Sequence, residues 1–398
     1  MAVLRYMTSG ESHGPQLTLT VSGMPSNLPV DSEAINRDLK RRQGGYGRGG
    51  RMKIESDAAR IVAGVRHGFA LGSPITMVIE NRDWRNWTEI MSPEPQPDYS
   101  GKRAITRPRP GHADLPGVQK FDHTDARNVL ERASARATAT QVALGGLCKG
   151  LLGQFGMRVV SHVVELCGIK ADASGLTYDE IARRAERSEL RVADPSVEDA
   201  MRELIDTCKK EGDTAGGIFE VIVTGVPSGL GNVMNWDEKL DGKIGQVIMS
   251  MQAIKGVEIG PGFEGARLRG SQVHDAIYHT ADPSELPDGH GPSGGFYRKT
   301  NRAGGIEGGM SNGEPLVVRV AKKPISTLMQ PIASVDFQTK EAFDSSKERS
   351  DVCALPAAAV VGEALISYAV AWAFLGKFGG DSLAEVRRNY GAYVASLG

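Results

Sequence analysis

The first regular apolar pattern along the chain is an alternation. Leu17, Leu19 and Val21 lie two apart between polar neighbours and predict a half-buried strand. The run ends in Gly23-Met24-Pro25-Ser26-Asn27-Leu28, which reads as a turn. The period then changes. Ile35 and Leu39 lie four apart, Asp31 stands at an N-cap position, and Gly44 follows the last periodic turn. These positions predict a helix with Arg41 and Arg42 in its last turn.

A second module has the same order. Residues 218–223 predict a strand, Gly225-Val226-Pro227-Ser228-Gly229-Leu230 a turn, and 237–253 a helix. Strand, G-hydrophobic-P-S-x-L and helix recur, which suggests an internal duplication packed about a pseudo-twofold. Each half also carries a long helix rich in small residues, predicted over 124–155 and 356–378. Ala133, Ala135, Ala137 and Ala139 would let the first of these pack closely. Further strands are expected near 61–65, 75–79, 158–165 and 316–320, and surface helices over 178–189 and 197–210. The stretch 355–376 is as long as a membrane span, but it is Ala-rich and contains Glu363, so it reads as a buried core helix. No linker divides the chain. The expected architecture is a single α+β domain, 1–398, with helices sandwiched between β-sheets.

Charge changes this picture locally. Lys and Arg (47) balance Asp and Glu (48), for a net charge of -1. Yet Arg37 to Lys53 holds five Arg, two Lys and five Gly. Glycine allows a tight backbone that approaches a ligand closely, and arginine matches phosphate and carboxylate oxygens in pairs. The segment reads as a glycine-hinged loop for a small, highly charged anion. The overall balance argues against a nucleic-acid partner. Gly45-Tyr46-Gly47-Arg48-Gly49-Gly50 fits G-x-G-x-x-G, but a helix precedes it and a short extended run over 52–55 is expected after it. A dinucleotide fingerprint needs the reverse order. The four cysteines form no C-x-x-C pair, the eight histidines show no metal-ligand spacing, and the N-terminus lacks the long apolar core of a signal peptide. A reduced, cytoplasmic setting without a metal is expected.

Side chains suited to catalysis gather in turn-rich segments. Gly10-Glu11-Ser12-His13-Gly14 lies between two expected strands. Arg107-Pro108-Arg109-Pro110-Gly111-His112-Ala113-Asp114 is a proline-stiffened loop. Glu131-Arg132-Ala133-Ser134-Ala135-Arg136 falls on the long helix, where Arg132 and Arg136, four apart, are expected to share a face. Two arginines on a packable face are costly unless an anion meets them.

With these segments in order, the chain resembles the chorismate synthase family essentially end to end. The strings that carry the resemblance are GESHG (10–14), RRQGGYGRGGRM (41–52), RPRPGHADL (107–115), RASARATA (132–139), GGIEGGMSNGEP (304–315), KKPISTL (322–328) and ERSD (348–351). Ser326 replaces a proline usual in the family, and the loop 287–293 carries an extra histidine, His290. The resemblance implies conversion of 5-enolpyruvylshikimate 3-phosphate to chorismate and phosphate. This is an anti-1,4-elimination that requires reduced FMN without net redox change. It places substrate contacts on Ser12, Arg42, Arg48, Arg51, Arg109 and Arg136. Proton transfer falls on His13, His112 and Asp351, with Asp351 expected beside the flavin ring. Flavin contacts fall on Arg132, Ala133, Ser134, Gln252, Ala253, Gly308, Lys323, Pro324, Ile325, Ser326, Thr327 and Arg349. NADPH, as a possible reductant of the flavin, would meet Arg42 and Arg48. A homotetramer is implied, with neither a membrane nor a nucleic-acid partner. An NADPH-dependent flavin oxidoreductase and an anion-binding module are the alternative readings.

Overall fold

The computed structural model describes residues 4–49, 56–97, 101, 103–330, 332–345 and 350–398. Two antiparallel sheets enclose a layer of helices. The first sheet uses Arg5–Ser9, Gln16–Ser22, Ala59–Ala63 and Ile75–Glu80, in the spatial order first, second, fourth, third. The second uses Arg158–Leu166, Gly217–Thr224, Ile254–Ile259 and Leu316–Lys322 in the same order, extended by the short strand Ile169–Lys170. In both halves a helix joins the second strand to the third, Ser32–Gln43 and Leu240–Met249 respectively. In both halves a long helix, Thr138–Gly153 or Leu355–Phe378, comes after the fourth strand. The expected α+β sandwich with duplicated halves is what the chain adopts.

The repeated turn string has a conformational cause. Gly23 and Gly225 end their strands at φ 91° and 72°, and Asn27 and Gly229 sit at φ 61° and 86°. Only glycine, or an Asn able to bond locally, takes this region at low cost. Between them Met24, Leu28, Val226 and Leu230 are buried. The shared letters therefore encode one backbone shape that turns each chain half from sheet to helix.

Several elements form as their patterns require. The Asp31 side chain accepts from Ala34 N at 2.9 Å and caps Ser32–Gln43, whose inner face buries Ile35 and Leu39. Each such burial is worth roughly 1.5–3 kcal/mol. The two long helices touch where both are small: a Cβ on Gly145 would fall 2.2 Å from Ala364 Cβ. Leu355–Phe378 is long and apolar enough to cross a membrane, yet nearly all of it is buried between the sheets.

Two expected helices differ. The helix predicted over 124–155 is broken into Arg127–Ala133, a 3-10 turn Ala135–Ala137 and Thr138–Gly153. Ser134 takes ψ 140° and accepts from Arg136 N at 3.2 Å, acting as a cap where alanines had suggested continuity. Arg132 and Arg136 therefore do not share a face. The helix predicted over 237–253 spans only Leu240–Met249, and Ala253 lies at φ 66°. The extended run expected at 52–55 lies outside the described residues.

Glu363, midway along Leu355–Phe378, has no exposed surface. Arg41 meets it at 2.8 and 2.9 Å, Lys149 at 2.6 Å, Arg191 at 3.2 Å and Ser161 Oγ at 2.7 Å. Burial raises this carboxyl, but Lys149, Arg41 and Arg191 outweigh it and hold it well below the usual range. A carboxyl depressed on folding contributes stability above its ordinary range, and that stability is lost as pH falls toward the depressed value. Glu363→Gln is expected to cost about 3–5 kcal/mol by leaving buried cations uncompensated. Urea midpoints at fixed protein concentration measure this, and the gap to wild type should shrink as pH falls below the ordinary carboxylate range.

Candidate active site

The described part of the basic loop is pinned on both sides. Arg42, next to the Glu363-bound Arg41, is buried. It donates to Thr138 Oγ1 at 2.8 Å, Ala135 O at 2.8 Å and Asp57 Oδ2 at 3.1 Å. Past the helix, Gly45 and Gly47 take φ 108° and 84°. Gly47 O accepts from Val352 N and Cys353 N at 2.9 and 3.2 Å, and a Cβ there would meet Cys353 at 3.0 Å. Gly49 N donates to Asp351 Oδ1 at 2.6 Å, and Arg48 pairs with Asp351 Oδ2 at 3.2 Å. The part of the loop described, 44–49, is thus anchored rather than a free hinge. The Asp351 carboxylate is held by the loop through Gly49 and Arg48. Arg51 and Arg349 lie outside the described residues.

Asp57 joins the loop to the broken helix. Its carboxylate bridges Arg42 and Arg136, and Arg136 also donates to Asn81 Oδ1 at 2.8 Å. Burial pushes the Arg42 guanidinium down to about 10; Asp57 opposes that shift, while Arg136 and Arg48 add to it. Arg42 and Arg136 are therefore held rigidly by protein groups, and any anion meets them preorganised. Arg132 takes another direction: it is exposed and binds Thr8 O at 3.0 Å and Thr8 Oγ1 at 2.6 Å. Its side chain fastens the end of the first strand.

Ser134, at the break, links to the next group. Ser12 Oγ donates to Ser134 Oγ at 3.0 Å. Beside it His13 offers Nδ1 to Glu131 at 2.9 and 3.0 Å, and His13 N donates to the same carboxylate at 2.9 Å. Glu131 is almost wholly buried and also pairs with Arg127 at 3.0 Å. Burial raises the Glu131 carboxyl, but His13 and Arg127 reverse this and leave it below its ordinary value. The His13 ring stacks on Trp87 with centroids 3.8 Å apart. His13 and Trp87 form one wall of an open cavity of about 650 Å3 that Arg103, Arg107, Arg127 and Asp336 also line.

The second histidine is built alike. His112 Nδ1 lies 2.6 Å from Asp114 Oδ1, and Asp114 is fully buried. Arg109 Nε donates to Asp114 Oδ2 at 2.9 Å, and Arg109 Nη1 reaches Thr327 Oγ1 at 3.3 Å. Burial raises the Asp114 carboxyl, and His112 and Arg109 together bring it well below the usual range. Lys323 Nζ donates to Gly111 O, and a Cβ on Gly111 would lie 3.5 Å from Ser326 Cβ. Lys323 N donates to Ala253 O at 2.9 Å, and Ile325 O accepts from Thr214 Oγ1 at 2.7 Å. The neighbouring Lys322 ammonium is lowered by burial and acts electrostatically with Asp351 and Arg48.

One arc therefore connects Ser12, Ser134, Arg136, Asp57, Arg42, Arg48, Asp351, Lys322, Lys323, His112, Arg109 and Thr327. Gln252 adds a buried Oε1 with no hydrogen-bond partner among the described residues, next to the strained Ala253. Such an orphaned acceptor, next to the Lys323 N to Ala253 O contact, suits a flat polar ring. Gly308 stands apart, in the hairpin Ile306–Glu307 and Met310–Ser311, with Val233 as its neighbour. His290 bonds Ser293 Oγ at 2.8 Å inside the second half and takes no part in the arc. Asp57, Glu131, Asp114, Asn81 and Trp87 were given no role by sequence reasoning. The i, i+2 spacing of His112 and Asp114 could have signalled their pairing. Nothing in the sequence marks Asp57, because its partner Arg136 is distant along the chain.

Comparison with known proteins agrees along the whole chain. The family model described as chorismate synthase matches residues 4–375. A chorismate synthase of Geobacter metallireducens is 56% identical over 395 residues, 99% of each chain. That of Symbiobacterium thermophilum is 52% identical over 399 residues, 99% of each. A crystal structure of a chorismate synthase superposes with a TM-score of 0.77 at 39% identity, covering 99% of this chain and 98% of that one. The chain belongs to the chorismate synthase family, lyases of aromatic amino acid biosynthesis that work with a reduced flavin.

Proposed function

We propose that this arc carries the anti-1,4-elimination of phosphate from 5-enolpyruvylshikimate 3-phosphate, giving chorismate with reduced FMN bound. The observation that carries the reading is the convergence of guanidiniums held in place by protein groups. Arg42 and Arg136 meet on Asp57, and Arg48 pairs with Asp351. Such a cluster suits a substrate with one phosphate and two carboxylates, to which each charge-assisted hydrogen bond is worth roughly 1.5–3 kcal/mol. Arg109 and Ser12 extend the cradle, and Arg51 is assigned to it by the family pattern.

When bound, reduced FMN supplies an electron-rich ring that can lend and recover electron density without net redox change. Gln252, Ala253, Lys323, Pro324, Ile325, Ser326, Thr327 and Ser134 would hold it. The family pattern adds Ala133, the Arg132 backbone, Gly308 and Arg349. His13 donates a proton to the departing phosphate from Nε2, the ring nitrogen that Glu131 leaves open. His112, fixed by Asp114, holds a proton at the opposite end of the arc. Asp351 serves as the carboxylate that takes up or relays a proton, once Arg48 turns to the substrate. The reading includes a cytoplasmic homotetramer of single-domain 1–398 chains. NADPH, if it reduces the flavin, would meet Arg42 and Arg48.

An anaerobic assay tests the reaction. Chorismate and phosphate should appear in equal amounts with dithionite-reduced FMN, with the flavin still reduced afterwards. Equal phosphate release with oxidised FMN would overturn the proposal, and stoichiometric NADPH loss would favour a flavin oxidoreductase. A parallel arm with NADPH and oxidised FMN decides the reductant.

Two variants separate roles. Asp57→Asn leaves two buried guanidiniums without their anion, so stability should fall by about 3–5 kcal/mol in urea titration, with a raised KM. Asp351→Asn keeps shape and removes the base. Turnover is expected to fall about 100-fold with KM within a few-fold. Normal turnover with a raised KM would make Asp351 an anchor for the basic loop alone.

A further inference from the structure

Three sides of the His13 ring are closed. Its Nδ1 edge lies against the Glu131 carboxylate at 2.9 and 3.0 Å. One face is covered by Trp87, with ring planes 22° apart. The backbone beneath is tied to Glu131 through His13 N at 2.9 Å. What remains is the Nε2 edge. A neutral imidazole carries one N–H, and the partner of one nitrogen decides which. An ionised carboxylate only accepts, so Glu131 requires the N–H at Nδ1.

Glu131 is itself kept in place. Arg127 Nη1 donates to Glu131 Oε1 at 3.0 Å, and Arg127 Nε donates to Arg103 O at 2.7 Å. The Arg103 and Arg127 guanidiniums lie 4.3 and 5.1 Å from the Trp87 ring centre. Arg127, Glu131, His13 and Trp87 thus form a closed clamp. The other charged groups facing this corner are Arg107 and Asp336 across the cavity, which pair at 3.7 Å, and Glu11 in the histidine's own loop. Among these groups only Glu131 bonds the ring.

We propose that Glu131 is a positioning residue for the elimination: it fixes His13 as the Nδ1–H tautomer and presents Nε2 to the leaving phosphate. The proposal rests on the reading of His13 as the proton donor. In the elimination as a whole the allylic C–O bond breaks with its electron pair going to the phosphate oxygen, while the C–H bond at the far end of the allylic system gives its proton to Asp351 and its electron pair to the new double bond. That oxygen takes the proton from Nε2, and the ring returns to the neutral Nδ1–H form that Glu131 holds. The depressed Glu131 carboxyl keeps the partner anionic throughout neutral pH. His112 and Asp114, at 2.6 Å, repeat the same pairing, so the chain applies one device to both histidines.

The test uses full-length enzyme labelled with 15N-histidine, with the His13 signal assigned by its loss in His13→Ala. Above the histidine titration range the wild-type ring should show the Nδ1–H tautomer. In Glu131→Gln the tautomers should mix. Turnover at saturating substrate should fall at least about tenfold with KM little changed. Glu131→Asp should recover part of the turnover. An Nε2–H tautomer in the wild type overturns the proposal without need of any variant. So does a Glu131→Gln enzyme whose tautomer is unmoved while His13→Ala is inactive. Near-normal turnover in His13→Ala instead overturns the reading of His13 as the donor.

Discussion

The buried Glu363 carboxylate is the constraint from which the site takes its geometry. A charge in the middle of an apolar helix persists only if cations come to it, and here they come from three elements: Arg41, Lys149 and Arg191. Desolvation consumes most of the Coulomb gain in such a cluster, so its main consequence is placement rather than stability. Arg41 locks the Ser32–Gln43 helix against Leu355–Phe378. Arg42, one residue on, is thereby delivered to Asp57 and the Thr138 turn. The chain then runs through Gly45 and Gly47 back to Val352 and Cys353, at the start of the same central helix. The described part of the basic loop, 44–49, is clamped on both sides to one rigid element.

That clamp explains why so much positive charge is tolerated indoors. Arg42 and Arg136 share the Asp57 carboxylate, and Arg48 pairs with Asp351. The burial-lowered Arg42 guanidinium reports the cost of that placement. A solvated basic face would carry no such penalty, and a nucleic-acid surface would leave its arginines exposed. Buried, preorganised guanidiniums suit a compact anion that enters the protein.

Much of the scaffold was legible in the sequence because local rules agreed with tertiary ones. Alternation at Leu17, Leu19 and Val21, the Asp31 cap and the two G-hydrophobic-P-S-x-L turns each encode backbone conformation directly. The misreadings arose where a side chain overrode propensity. Ser134 sits in an alanine-rich run that favours helix, yet its hydroxyl caps the next turn, and this alone separates Arg132 from Arg136. The site was legible as types of residue, not as partnerships. Which arginine meets which carboxylate depends on contacts between distant segments, as with Asp57 and Arg136. Asp351 illustrates the limit: its motif marked it as important, but its hold on Arg48 and Gly49 is visible only in three dimensions.

The duplication leaves a last asymmetry. Both halves share strand order and turn shape, and their long helices meet at Gly145 and Ala364 with Lys149 facing Glu363. The chemistry does not follow the symmetry. The first half contributes most of the charged and titratable groups: His13, Arg42, Arg48, Asp57, Arg109, His112, Asp114, Glu131 and Arg136. The second half contributes backbone at Ala253 and 323–327, the orphaned Gln252 amide, and the side chains of Lys322, Lys323, Thr327 and Asp351. A substrate with three anionic groups and a flat, largely neutral ring need different surfaces. A doubled scaffold whose halves weight charge and backbone differently supplies both across one seam, and the Glu363 cluster on that seam holds the two surfaces in register.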